Sequence, residues 1–307
     1  MQQLFVILLS FLSIPAIGQD EVSIAKDSLT IINDSEGRIR ILESIADYYK
    51  GGEYLNRDSL RKYNDLILDL IVNEGPTDRH LRAKERNLVA QFRLPFEQYQ
   101  VLAVDLVQDY QSRNEYVKAL KEKFYLAKKA HTAGLTKAFG LYEEGLKELL
   151  QLDTEGREKE ICRLRSLYLA SYASCYDYSG IYDKALLYVN EAVQVAEACQ
   201  DSSAMLSSYR SAGAIIGTYM TKNSFDSTLL QKLDKNLLDY LELTYHLSKD
   251  LDHPTIYPLA AYNLAYFYYD SDSLSRALAY LDESMRSPII EWLPMQRYYN
   301  DMLLSDV

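Results

Sequence analysis

Between Leu169 and Ala192 the chain reads as two amphipathic helices folded back on each other, and no other stretch limits the fold so tightly. Leu169, Tyr172, Ala173 and Tyr176 recur at helical spacing, Gly180 interrupts them, and Tyr182, Ala185, Val189 and Ala192 resume the same period. Ala173 and Ala185 fall where two antiparallel helices come closest, because only a small side chain fits there. Tyr172, Tyr176 and Val189 fill the space beside them. Gly180 supplies the positive φ that so short a turn requires.

This order of a large residue, a small one, an aromatic, then Ala, a branched or aromatic residue and a second Ala resembles the tetratricopeptide repeat. The resemblance implies an all-α fold, an α-solenoid of antiparallel helix pairs in a right-handed superhelix of about ten to thirteen helices. A second clean unit covers residues 258–285: Ala261, Leu264, Ala265, Tyr268, a turn at Ser271 to Ser273, then Ala277, Leu281 and Met285. Asp272 stands there for the turn Gly and Ser284 for the final Ala.

The remaining units are degenerate. Ile41, Ile45, Ala46 and Tyr49 face Leu60, Tyr63, Ile67, Leu70 and Ile71 across a break at Gly51 and Gly52, with Asp58 or Ser59 as cap. Gly75 and Pro76 end that pair, Asp78 is placed to cap a helix from Arg79 to Arg93, and Pro95 opens another through Tyr110; their register against the repeat stays open. Tyr116, Ala119, Leu120, Phe124 and Ala127 read as a first helix, and Ala138, Tyr142 and Gly145 as its partner with Gly for the last Ala. After the central unit come Tyr209, Ala212, Gly213 and Ile216. The next matching small position, Ala265, lies 52 residues beyond Gly213 against about 34 in the ideal repeat, so the stretch between them carries an insertion or a lengthened helix.

The amino terminus has another character. Residues 4–17 are an uncharged apolar run ending in Ala16, Ile17 and Gly18, the pattern of a secretory leader cleaved after Gly18. An uncleaved membrane anchor is the alternative, and no other transmembrane helix is expected. The chain thus divides into a signal peptide (1–18), a lead-in segment (19–37) and a degenerate solenoid (38–307), with export to the periplasm of a Gram-negative bacterium as the expected destination. Cys162 and Cys175 lie about 20 Å apart on one helix and cannot bridge each other. A bridge from Cys199 to either stays open beside the preferred reading of three buried small residues.

A net charge of −11 argues against nucleic acid as a partner, since phosphate contacts need clustered Lys and Arg. Lys118, Lys121, Lys123, Lys128, Lys129 and Lys137 do cluster. They read either as a patch for an acidic partner or anionic membrane, or as a solvated face with Glu122 as an ion-pair partner. No metalloprotease, P-loop, dinucleotide or serine-hydrolase motif occurs, and His80, His131, His246 and His253 fall in different units without metal-ligand spacing to the cysteines. A non-enzymatic chain without cofactor or metal is therefore expected.

Positions between the packing residues of first helices face the groove of such a solenoid. The resemblance points to Ser174, Asp177 and Tyr178, then Arg210, then Tyr262, Tyr266, Tyr269 and Asp270 as a ligand-binding groove for a peptide or protein segment with a basic or apolar side chain. The tyrosines, drawn from 27 in the chain against 8 Phe, read equally as contact residues or as core with a half-exposed rim.

Residues 298–307 read as the opening of another first helix, with Leu304 and Ser305 in the large and small positions and no partner helix after them. That predicts an incomplete repeat and self-association through Met302, Leu303 and Leu304. Degenerate, Tyr-rich repeats of this kind also resemble the exported amino-terminal sensor regions of Gram-negative regulators and sensor kinases. The expected function is an exported protein- or peptide-binding scaffold; the alternative is the periplasmic sensory portion of a truncated signal-transduction protein.

Overall fold

A computed structural model of the chain describes residues 19–32, 34–51, 56–72, 77–153, 155–223, 227–287 and 294–306. The leader segment 1–18, Gly52, Gly75 and Pro76 lie outside them. The described residues form fourteen helices and no strand: α1 (Gln19–Ser28), α2 (Ser35–Gly51), α3 (Arg57–Leu70), α4 (Asp78–Ala90), α5 (Phe96–Ser112), α6 (Tyr116–Thr132), α7 (Lys137–Gln151), α8 (Glu158–Tyr178), α9 (Tyr182–Cys199), α10 (Ser202–Lys222), α11 (Ser227–Asp250), α12 (Ile256–Asp270), α13 (Leu274–Met285) and α14 (Pro294–Asp306). Consecutive helices pack as pairs, so the fold is an all-α solenoid type. It divides into two compact units, residues 1–134 and 135–307.

In the first unit the lead-in segment is helical. α1 lays Val22 and Ala25 against Ile41 and Ile45 of α2, and α2 pairs with α3 around Leu42, Ala46, Leu60 and Ile67. The caps sit upstream of their expected positions. Asn56 caps α3 by accepting the Ser59 N–H at 2.9 Å, and Thr77 caps α4 by accepting that of His80 at 3.3 Å. Both have extended backbones, as a capping residue must, whereas Asp58 and Asp78 are already helical.

The pairing of α6 differs from the expectation. It is the second helix of a pair with α5, and α7 belongs to the other unit, packed on α8. The turns show why. Glu115, Ile181 and Ser273 donate their N–H groups to the carbonyls of Tyr110, Tyr176 and Tyr268 at 2.9, 2.9 and 2.8 Å. Just before each donor stands a residue with positive φ: Asn114 (60°), Gly180 (72°) and Asp272 (54°). Asn and Asp tolerate this left-handed conformation best after Gly. Tyr110, Tyr176 and Tyr268 are therefore equivalent, as are Ala119, Ala185 and Ala277 on the helices that follow, all buried.

Two lysines of the cluster are bound into this unit. Lys118 pairs with Glu115 at 2.5 Å, and Lys129 donates to the Phe92 carbonyl at 2.7 Å. Glu122 is buried rather than on the solvated face. Burial first, and the charge of Glu85 second, push its carboxyl up to about 7.

In the second unit the α8–α9 hairpin buries Leu169, Tyr172, Ala173, Tyr176, Ala185, Val189 and Ala192, the residues whose spacing announced it. The hairpin also brings Cys162, near the start of α8, beside Cys199, the last residue of α9. They form a disulfide with Cα atoms 6.0 Å apart. Cys175 stays free and buried, its thiol pushed up to about 12 by burial. α10 packs on both helices of the hairpin. There the buried Ser166 and Ser208 hydroxyls share a hydrogen bond at 2.9 Å, and Ser166 lies within donating distance of the Ala192 carbonyl at 3.0 Å.

At the far end α14 packs on α12 and α13. The inserted residue is Leu303, beside Ala265 and Leu281, not Leu304, which is exposed together with Met302. The register is one residue earlier than the sequence suggests, because Asn300 and Leu303 form the buried stripe.

Candidate functional site

Within the second unit the first helices α8 and α10 pack directly on one another, and so do α12 and α14. Packing of that extent has no counterpart between α10 and α12 among the described residues. The helix between them, α11, has 24 residues, and a cleft of about 740 Å³ opens between α10, α11 and α12. That volume lies within the usual range of ligand sites, roughly 300–1,000 Å³. The long Gly213–Ala265 interval is thus a lengthened second helix that props two first helices apart.

Small residues make the α10 wall. Gly213, Ala214, Gly217 and Thr218 all line the cleft. A Cβ on Gly213 would meet Leu241 Cδ2 at 3.6 Å, an ordinary contact, whereas one on Gly217 would meet nothing within 4 Å. Leu237 and Leu241 of α11 and Phe267 of α12 supply apolar surface. Tyr262 and Tyr266, one helical turn apart, extend it with ring centroids 6.5 Å apart. Tyr209 closes one end and donates its hydroxyl to Glu197 at 3.0 Å; burial, reinforced by that bond, pushes the phenol up to about 12.

Of the residues singled out from sequence, Arg210, Tyr262, Tyr266 and Asp270 come together in this cleft. Ser174, Asp177 and Tyr178 do not line it. Ser174 is turned back on its own helix, donating to the Ala170 carbonyl at 3.0 Å. Asp177 is half-buried with its carboxyl raised by burial, and Tyr178 is 78% exposed. Tyr269 also lies outside the lining and packs against the cores around Leu264 and Leu281. Tyr269 thus packs with the core, whereas Tyr266, 52% exposed, lines the cleft.

Sequence reasoning missed Asp234, Gly217 and Thr218. The repeat gives no register inside a lengthened helix, so Asp234 could not be placed on a face. The 52-residue interval was the signal that a gap between first helices would fall here. The lining contains no His or Cys. Among the described residues no group of three or more His, Cys, Asp or Glu is placed to hold a metal ion, and no helix is long and apolar enough to cross a membrane.

No protein-family profile matches the sequence, and no curated protein matches it. Solved structures do resemble the fold. A Signal Transduction ATPase with Numerous Domains (STAND) protein with a tetratricopeptide repeat sensor, from Pyrococcus horikoshii, superposes with a TM-score of 0.55 at 12% identity over 91% of this chain. The chain spans 41% of that protein's length. BtubC from P. vanneervenii aligns over 85% of this chain and 93% of its own, with a TM-score of 0.48 and 13% identity. At such identities the first likeness speaks to the fold alone: an array of helical repeats of the tetratricopeptide kind.

Proposed function

We propose that this chain is an exported, non-enzymatic scaffold that binds an extended peptide segment in the α10–α11–α12 cleft. The observation that carries the reading is the cleft itself. Four residues chosen from sequence for facing the groove converge there on an apolar floor with open space at Gly217. Arg210 and Thr221, eleven residues apart on α10, mark its two ends, which gives a length of about 16 Å at 1.5 Å per residue. That accommodates roughly five residues of extended chain at about 3.3 Å each. Tyrosines along the wall offer large contact area at low cost in side-chain entropy.

Two observations support the wider context. The Cys162–Cys199 disulfide suits an oxidising compartment, in keeping with the leader-like first residues. A sensory role, as part of a signal-transduction protein, is a second reading; it draws on the likeness to a protein whose repeats are described as a sensor.

The test is selection of a random heptapeptide display library on the intact protein and, in parallel, on Gly217→Leu. The side chain added at Gly217 enters open cleft, so the variant folds while its site is filled. Enriched peptides that bind the native chain and not Gly217→Leu are expected. Peptides that bind both equally would overturn the assignment of the cleft.

A further inference from the structure

The cleft has a charge direction that the peptide reading does not require. The register across the helices fixes it. Gly213 of α10 faces Tyr240 and Leu241 of α11, so Arg210 stands level with Thr244, and Thr221 level with the turn of α11 that carries Leu233 and Asp234. On the other side Tyr245 of α11 is beside Tyr257 of α12, ring centroids 5.6 Å apart. Counting back along the antiparallel pair puts Asp270 at the level of Asp234 as well. Both carboxylates therefore occupy one end of the cleft and the Arg210 guanidinium the other, and all three line it. None of the three enters an ion pair with another described residue.

The backbone reinforces this arrangement. α10 and α12 run parallel, so the carbonyl ends of both, at Lys222 and Asp270, lie at the carboxylate end, where partial negative charge collects. α11, which runs the other way, and the Lys222 ammonium in the last turn of α10 oppose them in part. Arg210 and Asp270 are exposed and Asp234 is half-buried, so this field acts on a bound charge through solvent and weakens as salt rises.

Resting on the peptide reading above, we infer that the ligand is a peptide with a polarity: a Lys or Arg side chain seated between Asp234 and Asp270, an apolar middle, and an acidic side chain about four residues away facing Arg210. Charge complementarity at both ends sets the direction in which the peptide lies.

The experiment uses the full chain and two fluorescein-labelled, end-blocked pentapeptides, Lys-Leu-Tyr-Leu-Glu and its neutral counterpart Gln-Leu-Tyr-Leu-Gln, titrated by fluorescence anisotropy. The charged peptide is expected to bind at least tenfold more tightly at low salt, with the ratio shrinking as ionic strength rises. The double variant Asp234→Asn, Asp270→Asn is expected to lower that ratio towards one, and Gly217→Leu to abolish binding of both peptides. Equal binding of the two peptides that Gly217→Leu removes would overturn the charge inference and leave the cleft intact as a peptide site. Binding of neither peptide, or binding of both that Gly217→Leu does not alter, would overturn the two readings together.

Discussion

The ring of Tyr168 on α8 lies against the α-carbon of Gly145 on α7, so closely that a methyl group placed on the glycine would overlap the ring. In an ordinary helix, replacing Gly by Ala stabilises by about 1 kcal/mol. Here the sign reverses. Gly145→Ala is expected to destabilise the second unit by about 1–3 kcal/mol through overpacking. Adding Tyr168→Leu should recover part of that loss by withdrawing the ring. Denaturant titrations of the two variants check this, and a Gly145→Ala protein more stable than the native one would contradict it.

Ala185 and Ala265 make the same argument at the positions read first from the sequence. Both are fully buried, and each lies at a close helix contact of an α8–α9 or α12–α13 pair. Leu at either is expected to cost about 1–3 kcal/mol. Unchanged denaturation midpoints in both variants would count against the packing described for these hairpins.

These examples mark what was legible and what was not. The α8–α9 and α12–α13 hairpins could be read because small and large residues alternate there with a helical period and the turn residue is Gly or Asp. The α5–α6 pair has the same turn, but Val107 stands where Ala173 and Ala265 stand in the other units, and without that small residue α6 reads as a first helix. Glu122 was placed outside because it sits among lysines; the helix period that also carries Ala119 and Leu126 inward was the better guide. Of the site, Arg210, Tyr262, Tyr266 and Asp270 were visible as groove positions. Asp234 and Gly217 needed the register across α11, and the pairing of Cys162 with Cys199 needed the hairpin length, which periodicity leaves loose by a few residues.

The disulfide predicts a thiol count. Unfolded in denaturant without reductant, the protein is expected to show one reactive thiol, Cys175, and in the native state none, since that side chain is buried. Three thiols in the denatured, unreduced protein purified from an oxidising compartment would contradict the pairing. The bridge closes a sequence separation of 37 residues, so Cys162→Ser with Cys199→Ser is expected to lower stability by about 2–4 kcal/mol.

Glu122 predicts a pH dependence in the first unit. Its ordinary value is 4.5 and its folded value about 7, so between these limits the unfolded chain has released a proton that the folded chain keeps. Stability is therefore greatest below the lower value and falls as pH rises to about 7, by an amount on the order of a few kcal/mol. Glu85, Lys121 and Lys50 are the charges that act on the carboxyl, and Glu122→Gln removes its titration while keeping those side chains in place. The variant is expected to show a flatter stability profile between pH 4.5 and 7 and to exceed the native protein at pH 8. A profile as steep as the native one would contradict the account of this buried acid.

We propose the gap between α10 and α12 as a peptide site. The direct measurement is hydrogen–deuterium exchange of the full chain with and without the tightest peptide from the library selection. Slower exchange confined to α10, α11 and α12, and absent in Gly217→Leu at the same peptide concentration, is the predicted result. Protection that falls on other helices, or that persists in Gly217→Leu, would contradict it.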